Sequence, residues 1–107
     1  MPQAKTNTAL ITGGAKRIGR EIAFLLAAQG YDLVVNYNNS QLEAQELAME
    51  IDKKFKVKCA IFKADLRDLE QTKKLAEFVK KNSSNWNLLV NNASIFNKSK
   101  FLTAWLS

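Results

Sequence analysis

The chain has 107 residues, with 16 Lys and Arg against 10 Asp and Glu, no histidine and one cysteine. That length holds one small core and no second domain; the lone Cys59 excludes an intrachain disulfide, and the lack of histidine removes the commonest general base and, with it, any zinc site. The formal charge of +6 could attract nucleic acid, but Lys53, Lys54, Lys73, Lys74, Lys80 and Lys81 fall in helical segments without interleaved aromatics, which reads as solvated surface and makes nucleic acid an unlikely partner.

No apolar run reaches the length of a membrane span, and the first seven residues have no signal-peptide core, so a reducing, cytoplasmic setting without a membrane partner is expected. Ala9, Leu10 and Ile11 form a compact β-type run, the pattern of a strand buried on both faces. Gly13 and Gly14 end it. From Ile18 the apolar residues Ile18, Ile22, Leu25 and Leu26 recur at i, i+4, i+7 and i+8, predicting a helix that buries this stripe and runs to about Gly30, which stands just past its end.

The run 32–36 predicts a second strand, followed by a loop at Tyr37, Asn38 and Asn39. Ser40 with Glu43 three residues on predicts a capping box for a second helix, whose buried stripe is Ala44, Leu47, Ala48, Ile51 and Phe55. Alternation from Val57 to Phe62 predicts a third strand at a margin of the sheet, solvated early and more buried late. Asp68 with Gln71 predicts a capped third helix with Thr72, Leu75, Ala76 and Val79 inward. Leu88, Leu89 and Val90 predict a fourth strand.

Strands beginning near 8, 32, 57 and 87 with helical crossovers between them give a βαβαβαβ pattern: an α/β fold with a doubly wound parallel sheet in the order 3-2-1-4. Ligands of such sheets bind outside the carboxyl ends of the strands. The first of these ends is a glycine turn feeding a helix whose first N–H groups lack partners and whose dipole is positive there. Gly13, Gly14 and Gly19 leave room for a pyrophosphate to approach. A plain strand-to-helix turn would read the same way. After the second strand an NAD enzyme usually presents an acid to the adenosine ribose. The position here is Asn36, with no acid before Glu43, and Lys16 and Arg17 stand in the first turn, which favours NADP(H) over NAD(H) unless those cations are plain surface residues.

The segment Thr12-Gly13-x-x-x-Arg17-Ile18-Gly19 resembles the T-G-x-x-x-G-[IL]-G turn of the short-chain dehydrogenase/reductase family, with arginine in place of the middle glycine, as in its pteridine reductase branch. Asp65-Leu66 resembles the family's Asp-[LV] pair, and Asn91-Asn92-Ala93-Ser94 its N-N-A-G, with the serine of that branch. The resemblance covers Thr8 to Phe96 and implies a partial Rossmann-type domain that binds a dinucleotide. It implies cofactor contacts from Gly13, Lys16, Arg17, Ile18, Gly19, Tyr37, Asn38, Asn39, Ser40, Asp65, Leu66, Asn92 and Ala93. Ser94 and Phe96 would meet substrate, Phe96 by stacking on a pterin, or else as a hydrophobic plug under its loop. Asn39 departs from the branch, which offers a basic residue there.

The family's catalytic serine and Y-x-x-x-K do not occur before Ser107, and neither Tyr31 nor Tyr37 has a lysine four residues on. The expectation is therefore the NADP(H)-binding portion of a short-chain reductase, residues 1–107 forming an incomplete domain with no catalytic residue of its own. A small-molecule substrate enters only if a catalytic half is supplied elsewhere. The alternatives are a remnant that folds poorly or binds nucleotide without turnover, and a basic interaction module. A fourth strand without its neighbour leaves apolar area wet, an expected deficit on the order of 10 kcal/mol at about 25 cal/mol per Å². The sequence carries no signal for oligomeric state.

Overall fold

A computed structural model describes residues 6–93, so Ser94 and Phe96 lie outside the described residues. Seven elements alternate: β1 (Asn7–Thr12), α1 (Arg17–Ala28), β2 (Asp32–Tyr37), α2 (Gln41–Lys54), β3 (Cys59–Lys63), α3 (Leu69–Lys81) and β4 (Asn85–Asn91). The strands form one parallel sheet in the order β3-β2-β1-β4, as the alternating pattern predicts. In β1 successive side chains go to opposite faces, and both faces are covered. Leu10 joins Val34, Leu75, Ala76 and Val79 beneath α3. Ala9 and Ile11 join Leu33, Val35, Ala23, Ala27, Leu47 and Ile51 beneath α1 and α2.

The inward face of α1 differs from the expected one. Ile18 and Leu25 are 69% and 64% exposed, while Gly19, Ala23 and Ala27 are buried, with Ile22 and Leu26 half-buried beside them. The cause is proximity: a Cβ on Gly19 would stand 2.6 Å from Gly14 Cα, so small residues at i, i+4 and i+8 face the turn and sheet while the larger apolar ones move to the flanks. The helix ends as predicted. Gly30, at φ +91, donates its N–H to Ala27 O (3.0 Å) and Tyr31 donates to Leu26 O (3.1 Å), the paired bonds of a Schellman motif.

The capping box expected at Ser40 does not form. Ser40 occupies the N-cap position without a side-chain bond, and Glu43 turns instead to Lys16 (3.7 Å). The stripe of α2 is as expected, with Ala44, Leu47 and Ile51 buried and Ala48 and Phe55 half-buried. Asp68 does cap α3, its Oδ1 accepting from Glu70 N (2.9 Å) and Gln71 N (3.3 Å). Gln71 answers with Nε2 to Asp68 Oδ2 (3.2 Å), while its Oε1 accepts from Asp65 N (2.8 Å), so the loop before the helix is tied to its first turn. Thr72, Leu75, Ala76 and Val79 are buried as predicted.

The third strand is marginal, as predicted, but it begins at Cys59 and is half-buried to Phe62 with Lys63 exposed, so the expected deepening along it is absent. In β4 an extra residue interrupts the pairing. Thr8 stands opposite Trp86 and Ala9 opposite Leu88, leaving exposed Asn87 as a bulge.

Candidate functional site

Because the strands are parallel, their carboxyl ends and the turns that follow all open on one side of the sheet. Two buried polar residues ending apolar runs join those tips. Thr12 Oγ1 donates to Val90 O (3.4 Å) and accepts from the amides of Asn92 (3.1 Å) and Ala93 (3.2 Å), and Asn92 Nδ2 donates to Gly13 O (2.8 Å). Asn36, 2% exposed, accepts from Gly13 N at its Oδ1 (3.3 Å), and its Nδ2 donates to Ala64 O (3.1 Å), with Tyr37 O (3.4 Å) and Phe62 O (3.5 Å) further off. Its carbonyl also accepts from Gly14 N (3.3 Å).

This corrects the reading of Asn36 as the residue facing an adenosine ribose. Its side chain is committed to strand-tip bonds, and the cleft beyond β2 is lined by the next residues instead: Gly13, Ala15, Lys16, Tyr37, Asn38 and Ser40 around about 80 Å³. A second, larger cleft of about 410 Å³ is lined by Gly13, Lys16, Arg17, Ile18 and Asn92. The two share Gly13 and Lys16.

The turn between them has a built-in backbone shape. Gly13 sits at φ +62, where a side chain is strained, and a Cβ there would lie 3.3 Å from Ala93. Arg17 sits at φ 55 as the first residue of α1, in the left-handed region that favours glycine. Arginine therefore replaces the motif's glycine at a position whose backbone still asks for one. The first bond into α1 runs from Arg20 N to Lys16 O, and Lys16, the N-cap, makes no side-chain capping bond. Among the described residues the amides of Arg17, Ile18 and Gly19 have no partner, and no acid stands in the first turn. The helix start thus has three unpaired donors and a positive dipole end, with Arg17 and Ile18 on the larger cleft.

The cations beside it differ. Lys16 pairs loosely with Glu43, both half-exposed, whereas Arg17 has no ion-pair partner among the described residues. Arg20 lies one turn on and is held by Glu50 Oε2 (2.7 Å) across to α2, which keeps the Glu50 carboxyl below its usual range.

The structure brings Gly13, Lys16, Arg17, Ile18, Tyr37, Asn38, Ser40 and Asn92 to the two clefts. Gly19 and Ala93 stand directly behind the turn. Asn39 is exposed and lines neither cleft. The Asp65 carboxylate is held by its own neighbour, Arg67 Nε to Oδ1 (3.0 Å) and Nη2 to Oδ2 (2.9 Å), which lowers its pKa and raises that of Arg67. Leu66 is 4% exposed in the core beneath α3, so only its backbone can face a ligand. Cys59 in β3 has a thiol pushed up to about 12 by burial, which keeps it protonated and inert.

A wider basin of about 1040 Å³ opens at the other end of the sheet, among Thr6, Asp32, Lys58 and Ser84, the residues at or just before the strand starts. In a parallel α/β layer the helix carboxyl ends face that side, and their dipoles oppose an anion. The phosphate-competent geometry belongs to the glycine end.

A Rossmann-type sheet whose glycine turn opens onto an uncapped helix defines the class. The sequence matches the short chain dehydrogenase family over residues 7–105, and the chain belongs to that family. It is 38% identical over 90 residues to the 3-oxoacyl-[acyl-carrier-protein] reductase FabG of Staphylococcus aureus, covering 84% of this chain and 36% of that protein. Among solved structures it resembles the FolM alternative dihydrofolate reductase 1 of Brucella canis complexed with NADP, at 32% identity and a TM-score of 0.73, over 84% of this chain and 36% of that one. A blue fluorescent protein from a metagenomic library in complex with NADPH superposes with a TM-score of 0.77 at 30% identity, over 87% of this chain and 38% of the other. The chain spans about a third of the length of the curated relatives it matches. Among the described residues no helix is long and apolar enough to cross a membrane.

Proposed function

We propose that the crevice seats the pyrophosphate of NADP(H), and that residues 1–107 are the cofactor-binding portion of a pteridine-reductase-like short-chain reductase. The observation that carries this reading is the start of α1: among the described residues the amides of Arg17, Ile18 and Gly19 have no partner, no acid stands in the first turn and Arg17 has no ion pair, and Arg17 and Ile18 line the cleft of about 410 Å³. Uncompensated donors at a dipole's positive end suit an anion.

NADP(H) is favoured over NAD(H) by the charges around the smaller cleft. Tyr37, Asn38 and Ser40 line it without an acid, and Glu43, the first acid after β2, is turned to Lys16. A carboxylate there would bond a ribose hydroxyl and repel a 2′-phosphate, whereas cations at 16 and 17 attract one. Two structural relatives that hold NADP or NADPH support the same preference. Asp65 would receive the adenine amino group, exchanging part of its Arg67 contact. Ser94 and Phe96 would meet a flat heterocyclic substrate, a reading supported by the likeness to an alternative dihydrofolate reductase. A small-molecule substrate then requires the proton donor of a catalytic half beyond the residues assigned here. The free thiol of Cys59 fits a cytoplasmic setting.

Fluorescence titration tests the preference. NADPH should bind at least about tenfold more tightly than NADH, a gap near 1.4 kcal/mol. Equal affinities, or tighter NADH, would overturn it, and a folded sample that binds neither would remove the cofactor reading.

A further inference from the structure

The amides that can face a phosphate are those of Arg17, Ile18 and Gly19, and the reason lies one strand away. The two glycine amides that open the turn are taken up by one residue, Gly13 N by Asn36 Oδ1 and Gly14 N by Asn36 O, each at 3.3 Å. The same carboxamide donates to Ala64 O at 3.1 Å, so one side chain spans the tips of β1, β2 and β3. At 2% exposure the side chain is closed off from bulk solvent. We infer that Asn36 is a positioning residue of the cofactor site, a latch that fixes the glycine turn so that the helix start behind it is presented ready-made to a pyrophosphate.

The chemistry of the latch requires an amide. Gly13 N needs an acceptor and Ala64 O a donor, while the carbonyls of Tyr37 and Phe62 stand close to the same Nδ2. Asparagine offers both from one short side chain, whereas aspartate would set a negative charge among three carbonyl oxygens. The requirement for the amide therefore excludes an acid at 36 on grounds independent of the cofactor. Without the latch, the turn would sample shapes in which the amides of 17–19 no longer converge, and binding would carry the cost of ordering them.

The purpose of the latch rests on the cofactor reading; its geometry does not, and the test separates the two. In the full ligand-free chain, amide exchange followed by NMR should find Gly13 protected and Arg17 and Ile18 unprotected. Asn36→Ala should lower Gly13 protection about tenfold while Ile51 and Val79, deep in the two cores, change by less than about twofold, matching the loss of one buried hydrogen bond. NADPH affinity should fall about tenfold, and that of 2′-AMP, which has no pyrophosphate, by less than about twofold. Gly13 exchanging as fast as Arg17 in the unaltered chain would overturn the latch, a measurement that needs no variant to fold. So would unchanged Gly13 protection in Asn36→Ala, or an equal loss at Gly13, Ile51 and Val79 with both ligands weakened alike. If the unaltered chain binds no NADPH, the cofactor reading falls and exchange at Gly13 still decides the latch.

Discussion

Arg17 carries two separable effects, and two substitutions pull them apart. Its φ of 55 places a side-chain-bearing residue in left-handed backbone, a cost of about 1–2 kcal/mol relative to glycine. Arg17→Ala removes the guanidinium and keeps that strain. Arg17→Gly removes both, at the expense of about 0.4–1 kcal/mol for the greater freedom of glycine in the unfolded chain. The difference leaves Arg17→Gly more stable than Arg17→Ala by roughly 0.5–1 kcal/mol. Binding should not separate the two variants, since both lose a charge-assisted contact worth about 1.5–3 kcal/mol, a weakening of roughly ten- to 150-fold for NADPH. Urea unfolding followed by tryptophan fluorescence reads the first quantity and NADPH titration the second. Arg17→Gly less stable than Arg17→Ala would refute the strain argument, and NADPH affinity unchanged in both would refute the role of the guanidinium.

Gly19→Ala should cost about 1–3 kcal/mol, because the added Cβ would stand 2.6 Å from Gly14 Cα and 2.8 Å from both Gly13 O and Asn92 Nδ2, mostly against backbone; a melting temperature equal to that of the unaltered chain would contradict this packing. Glu50, Asp65 and Asp68 all have carboxyl pKa values lowered in the fold, by the Arg20 hydrogen bond, the Arg67 hydrogen bond and the Gln71 amide respectively. Their contribution is complete above the unfolded carboxylate range and lost as pH falls through the lowered values, so the urea midpoint should drop on acidification below about pH 4 and not rise. The Cys59 thiol is raised to about 12, so its share of stability is present at neutral pH and lost as pH climbs from the ordinary thiol range towards that value. A thiol reagent at pH 8 should react slowly with the folded chain and at once in urea; fast reaction in both would show that Cys59 is not shielded.

Much of the fold was legible because strands buried on both faces read as unbroken apolar runs, and β1 and β2 do so from Ala9 to Ile11 and from Leu33 to Val35. The α3 stripe was legible too, since Thr72, Leu75, Ala76 and Val79 keep strict helical spacing behind a capping aspartate. The α1 stripe misled because periodicity weighs Ile and Leu above Gly and Ala, whereas contact with the turn selects by size. Glu43 had a choice between its own helix start and a cation on another element, and Lys16 won. The Asn87 bulge depends on pairing with Thr8 and Ala9, which no local pattern encodes. In the site, the glycine turn was visible as sequence, but the tasks of Thr12 and Asn36 arise only when strand tips far apart in the chain are side by side. The available signal is a polar residue closing an apolar run, which at Asn36 marks a junction of strand tips and not a ribose position.

An NMR titration of the labelled chain with NADPH shows whether phosphate sits on the start of α1. The amides of Arg17, Ile18 and Gly19 should show the largest shifts, with smaller ones at Tyr37 and Asn38, while Asp32, Lys58 and Ser84 at the far end of the sheet stay still. Shifts concentrated at Asp32, Lys58 and Ser84, or a titration that leaves residues 17–19 unmoved at millimolar NADPH, would contradict the account.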